Sequence, residues 1–246
     1  MKNKVAILAL AVATGCSSTS SEAFDIKKLF TYNPSTDNWN ISCGVDPGAI
    51  KKEGDTWIFK TSKNKCYKKG TKKITGTFHQ RAEIATHDDK LPANEDGKYK
   101  FETLFTFKDN EFFWNNKFDI FQIHDGRDGC APPLKVGFTK DSRLYIRADY
   151  KTGPGESCIR RSMYNLGSSK ILRNGTEYKL KIIIDFDGKS GFDIEVYLNN
   201  KLEIQDRYVP PTTGFKSRHW FFKHGVYSRD IFNYELKSKF TLEQIN

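Results

Sequence analysis

Three things are missing from this chain of 246 residues: an apolar run long enough to cross a membrane, a convincing amphipathic helix, and any Cys-x-x-Cys pair. The apolar stretch Val5 to Val12 is too short to span a bilayer. Without amphipathic helices the chain is expected to be all-β, and without paired cysteines the usual zinc frameworks are set aside, so no metal and no cofactor is expected. Nucleic-acid motifs are missing too: there is no helix-turn-helix, zinc finger or RNA-recognition pattern, and the basic residues are spread along the chain. A formal net charge of +10 and a pI near 9.2 therefore suit a different polyanionic partner. No internal repeat or domain-linking low-complexity run divides the sequence.

What is present begins with an export signature. Lys2 and Lys4 precede the apolar run and small residues follow it, so residues 1–15 read as a secretory signal. Ala13-Thr14-Gly15-Cys16 resembles a bacterial lipobox, which implies cleavage before Cys16 and lipid on its thiol. Ser17 rather than Asp follows, as expected for an outer-membrane lipoprotein. Residues 16–23 are then a lipidated tether, the membrane is met only through that anchor, and 24–246 form a single domain, a size routine for one β-sandwich. The domain is expected to be a monomer. Setting Cys16 aside leaves Cys43, Cys66, Cys130 and Cys158, an even number in an exported chain, which favours disulfides. Of the possible pairings, Cys43–Cys66 and Cys130–Cys158 are favoured because each closes a local segment.

Strand patterns separated by turn signals recur at Asp55 to Thr61, Ile74 to Thr86, Lys98 to Phe107, Phe118 to His124, Arg143 to Tyr150, Tyr178 to Phe186 and Phe192 to Ile204. In Tyr178 to Phe186 every even position is apolar, which commits one face to a core. Asn199-Asn200 tolerates positive φ and makes Phe192 to Ile204 a hairpin. This spacing predicts an antiparallel β-sandwich.

The stretch Arg218-His219-Trp220-Phe221-Phe222-Lys223-His224-Gly225-Val226-Tyr227 is aromatic-rich and predicts a further strand. Alternation puts Trp220, Phe222, His224 and Val226 on one face and Phe221, Lys223, Gly225 and Tyr227 on the other. Gly225 would keep a ligand's approach open between Lys223 and Tyr227. Two earlier strands have the same design: Arg81 and Glu83 share a face opposite Ala82 and Ile84, and Gln122 and His124 share a face opposite Phe121 and Ile123. Side by side in one sheet, the three would collect Arg, Glu, Gln, His, Lys and Tyr on one surface.

Arg81-Ala82-Glu83-Ile84, Gln122-Ile123-His124 and Phe221-Phe222-Lys223-His224-Gly225-Val226-Tyr227 resemble, in order and spacing, the motifs of jelly-roll polysaccharide lyases of the alginate lyase and glucuronan lyase kind. Ile84 stands for a Leu of that pattern and Phe221 for its first Tyr, and the resemblance runs over about residues 40 to 235. It implies a jelly roll with a concave substrate-binding sheet and an endo-acting lyase that cuts a uronate polymer by β-elimination. Alginate is the preferred substrate, with glucuronan or a glycosaminoglycan kept open; Tyr227-Ser228-Arg229 resembles the ending seen in glucuronan and heparin lyases equally well. A non-catalytic carbohydrate-binding jelly roll is the alternative. A glycoside hydrolase would need two carboxyl groups across the bond, and only Glu83 offers itself.

The chemistry sets the roles. Removing the C5 proton of a uronate places charge beside a carboxylate, which is costly unless donors neutralise it. Arg81 offers a fork matched to a carboxylate, Gln122 an amide donor and His124 a donor or base. Tyr227 is the candidate acid, and the base as well if cations such as Lys223 and Arg81 favour its phenolate. In the lyases the chain resembles, Tyr227 alone would serve a syn elimination, and His124 as base with Tyr227 as acid an anti one. Glu83 is expected chiefly to orient Arg81, and Lys223 to contact a substrate subsite. His79, His87, His219 and His224 are expected at the surface or in packing.

Overall fold

A computed structural model describes residues 39–42, 46, 48–62, 80–86, 91–109, 117–126, 132–150, 160–210 and 217–246. The proposed signal and tether, all five cysteines, His79 and His87 lie outside the described residues, and with them the lipid and disulfide expectations. Fifteen strands and no helix are found among the described residues. They form two antiparallel sheets. The front sheet runs β1 (Asn40–Ile41), β4 (Gln80–Ala85), β14 (His219–Ser228), β7 (Phe118–His124), β8 (Leu134–Phe138), β9 (Leu144–Tyr150) and β10 (Arg160–Leu166), and β5 (Leu91–Pro92) also pairs with β14. The back sheet runs β13 (Lys201–Tyr208), β12 (Phe192–Leu198), β11 (Glu177–Asp187), β6 (Asp96–Asp109), β15 (Tyr234–Ile245), β3 (Thr56–Lys60) and β2 (Ile50–Glu53). This is the expected all-β, two-sheet jelly-roll sandwich.

Alternation explains which face of each strand is inside. In β11, Tyr178, Leu180, Ile182, Ile184 and Phe186 are buried while their odd-numbered neighbours are not. The β12–β13 hairpin turns on Asn199 and Asn200, at φ 51° and 66°, the left-handed pair that a tight two-residue turn demands. From the front sheet, Ala82 and Ile84 of β4, Phe121 and Ile123 of β7, and Trp220, Phe222 and Val226 of β14 enter the same core. Each large apolar side chain buried there contributes roughly 1.5–3 kcal/mol. The strands expected from the sequence are present as far as they are described, Ile74 to Thr86 being described only from residue 80; β1, β2, β5, β8, β10 and β15, the last a central strand of the back sheet, are additional ones.

Two of the front sheet's irregularities lie in β7 and β14. The β7–β8 register shifts between Asp119 and Phe121, so Ile120 and Phe121 both reach the core and Asp119 is left on the outer face three residues from Gln122. Gly137 answers it from β8: a Cβ there would lie 2.2 Å from the Phe118 carbonyl oxygen. The second shift lies in β14 between His224 and Tyr227, where Gly225 has φ 132°. A Cβ on Gly225 would meet the Ala82 carbonyl oxygen at 2.2 Å. This corrects the expectation for Gly225: glycine is required by the neighbouring backbone of β4 and by its own dihedral, rather than by ligand access.

Candidate active site

β14 lies between β4 and β7, and the register fixes who faces whom. Tyr227 is opposite Arg81 and Gly225 opposite Glu83 on β4, while Phe221 is opposite His124, Lys223 opposite Gln122 and Tyr227 opposite Asp119 on β7. Directly opposed residues have Cβ atoms about 5 Å apart. The three motifs, far apart in sequence, therefore form one patch.

Tyr227 is flanked by cations. The Arg81 guanidinium carbon is 5.1 Å from the centre of its ring and the Lys135 ammonium 4.9 Å. Beside it, the Gln122 amide donates to Glu83, and the Gln122 carbonyl oxygen is 3.3 Å from Nε2 of His124. A carbonyl only accepts, so at this contact Nε2–H is the donor, and the neutral ring then carries its lone pair on Nδ1. The ring of His124 stacks on Phe221 with centroids 5.1 Å apart. Gln122 is thus a bridge from Glu83 to His124, with one amide hydrogen already committed.

Glu83 and Lys223 are both buried, at 2% and 6% exposure. Burial raises the pKa of Glu83, and the fields of Lys223 and then Arg81 oppose the rise. Burial likewise lowers Lys223 to about 8, with Glu83 opposing. Desolvation outruns the attraction in both, as is common for buried charges. Lys223 is therefore part of the floor beneath the patch, against Gln122 and Glu83. Glu83 takes the Gln122 amide and lies in the fields of Lys223 and Arg81, so its place is wider than the orientation of Arg81 alone.

His224 behaves as its alternation predicted. It points into the core, where Nδ1–H donates to the Ile120 carbonyl at 2.9 Å and Nε2 accepts from Ser238 at 2.7 Å. His219 stands over Gly126, and its ring lies 5.9 Å from that of Phe221. Among the described residues no cluster of His, Cys, Asp and Glu could hold a metal ion.

No family model matches the chain, and no curated relative matches it. Solved structures do. The family 7 alginate lyase A1-II' is 16% identical with a TM-score of 0.52, over 81% of this chain and 84% of that one; it is also known in complex with substrate. Alginate lyase AlyC3 is 14% identical with a TM-score of 0.52, over 78% and 75%. The endo-β-1,4-glucuronan lyase of the fungus Trichoderma reesei is 15% identical with a TM-score of 0.50, over 86% and 89%. The fold is that of the jelly-roll polysaccharide lyases.

The structure adds residues to the patch that sequence reasoning missed. Asp119 accepts from the Tyr145 hydroxyl and pairs with Lys135 at 3.6 Å. Burial, with the charge of Asp119, raises Tyr145 well above the ordinary phenol range. Arg147 pairs with Asp149 at 2.8 Å. Tyr145, Arg147 and Asp149 alternate along β9, a signal visible in the sequence. Asp119 gave none, because a bulge places it.

Proposed function

We propose that the chain is an endo-acting polysaccharide lyase that cleaves a uronate-containing polymer by β-elimination, with alginate preferred and glucuronan or a glycosaminoglycan as alternatives. The observation that carries this reading is the position of Tyr227, between Arg81 and Lys135, on the face that also presents His124 held by Gln122. The fold shared with alginate and glucuronan lyases supports it.

The reaction breaks the C5–H and C4–O bonds and forms a C4–C5 double bond, without water. Arg81 would hold the uronate carboxylate through its fork and offset the charge that builds as the C5 proton leaves. Gln122 and Glu83 would fix the His124 ring. Tyr227 would deliver a proton to the departing C4 oxygen. The C5 proton would go to Tyr227 in a syn elimination, or to Nδ1 of His124 in an anti one. An exported protein held at the outer membrane by Cys16 would meet such polymers at the cell surface.

The test is a panel of alginate, glucuronan and glycosaminoglycans, followed by the ultraviolet absorbance of the unsaturated uronate. Absorbance should rise, most steeply with alginate. No rise with any polymer would overturn the assignment.

A further inference from the structure

Beside Tyr227, on the β8–β9 side of the front sheet, is a cavity of about 310 Å³. Its charge is lopsided. Lys117, Lys135, Lys140, Arg147 and Arg229 line it, against the carboxylates of Asp119 and Asp230. Lys135 is balanced by Asp119 and Arg147 by Asp149. Asp119 is further engaged by the Tyr145 hydroxyl. Among the described residues no carboxylate lies within ion-pair distance of Lys117, Lys140 or Arg229.

Lys117 is the informative one. Its ammonium is 4.0 Å from the ring centre of Tyr145 and 5.6 Å from that of Tyr164, and Arg161 approaches the Tyr164 ring at 4.5 Å. Two rings hold the ammonium in place without neutralising it. Burial lowers its pKa, Asp119 opposes, and the charges of Arg147, Lys135 and Arg161 add to the lowering. Like charges gathered on a partly buried wall repel one another and stabilise nothing in the free protein. A bound anion removes that repulsion.

We propose that this cavity is an oxyanion subsite, which takes the carboxylate or sulfate of the sugar next to the bond being cleaved. The inference rests on the elimination reading and extends it to the choice of substrate. The cavity and the elimination centre share Tyr227, so the occupant belongs to a neighbouring sugar. In a homopolyuronate that neighbour always carries a carboxylate. In a polymer that alternates uronate with hexosamine it is acidic only when sulfated. The chain therefore selects polymers with an acid on consecutive sugars.

The experiment is calorimetric titration of the full chain with three oligosaccharides of equal length: a homopolyuronate, an unsulfated alternating polymer and its sulfated form. Parent, Lys117→Met and Arg229→Gln are compared, with KM and kcat measured on the homopolyuronate. Lys117→Met keeps an apolar stem against Tyr145, and Arg229 is exposed, so its replacement leaves the core alone. Each variant should bind the homopolyuronate roughly tenfold more weakly, the cost of one charge-assisted contact, with the loss in KM more than in kcat. The parent should bind the unsulfated alternating polymer roughly tenfold more weakly than the homopolyuronate, by the same contact. Tight binding of the sulfated form assigns sulfate as well as carboxylate to the cavity, and weak binding assigns carboxylate alone. Variants that bind like the parent, or a parent that binds the unsulfated polymer as tightly as the homopolyuronate, would overturn the subsite. A parent with the expected binding pattern and no unsaturated product keeps the subsite and removes the lyase. Product formation with parent-like variants does the reverse.

Discussion

Lys223 and His224 are neighbours in one strand, both are buried bases, and burial lowers the pKa of both. They end in different states. Lys223 faces the patch, where Glu83 opposes the effect of burial and leaves its pKa at about 8, so it is charged at neutral pH. His224 faces the core, where the Ile120 carbonyl alone opposes burial and its pKa falls to about 3, so it is neutral. Its ring packs on Phe101 and Phe240, and Ser238, which it contacts, lies 2.7 Å from the Thr103 hydroxyl. This chain of neutral groups ties the front sheet to the back one. Burial thus does not settle the charge of a side chain; its partners do, and alternation decides which partners it meets.

Five substitutions probe this contrast, and the largest effect is expected on the outer face. Replacing Tyr227 with Phe removes the proton donor and should lower kcat about 10²–10⁴-fold while polymer binding persists. Arg81→Ala and Gln122→Ala should each cost roughly a hundredfold in kcat, and the double variant should be little worse than either single one, because Glu83 links them, taking the Gln122 amide and lying in the field of Arg81. Additive losses, or losses confined to KM, would show that these residues only bind the chain. On the core face, His224→Leu should lower stability by about 2–4 kcal/mol, since Ser238 and the Ile120 carbonyl lose a buried partner, with little change in kcat per folded molecule. That variant also carries a pH signature. The folded protein keeps His224 neutral down to about pH 3, while the unfolded chain takes up a proton near pH 6.5, so the parent loses stability as pH falls between these values, on the order of a few kcal/mol. His224→Leu should lose less over the same window in urea melts. The smallest effect is expected at Lys223, whose charge fades as pH rises through about 8; Lys223→Arg should carry activity to higher pH.

Much of this was legible in the sequence because it depends on period two. Tyr178 to Phe186, the Asn199-Asn200 turn and the opposite destinations of Lys223 and His224 all follow from alternation alone. β15 escaped for a reason that lies elsewhere in the molecule. Its inward row of Tyr234, Leu236, Ser238, Phe240 and Leu242 is interrupted by Ser238, and a polar residue there makes sense only once His224 and Thr103 are seen across the core. Asp119 escaped because the bulge at Ile120 shifts the alternation by one residue. The burial of Lys223 was equally hidden, since it depends on Gln122 and Glu83 arriving from two other strands. Signals carried within one strand were readable, and those that need a neighbouring strand were not.

The central claim is that this patch breaks a glycosidic bond by elimination. Mass spectrometry of the products from one defined oligouronate, with parent and Tyr227→Phe side by side, tests it directly. The account predicts that the parent yields fragments whose masses sum to that of the substrate, one of them unsaturated, and that Tyr227→Phe yields almost none while still binding the oligosaccharide. Fragments that together carry one added water, or equal product from both proteins, would contradict it.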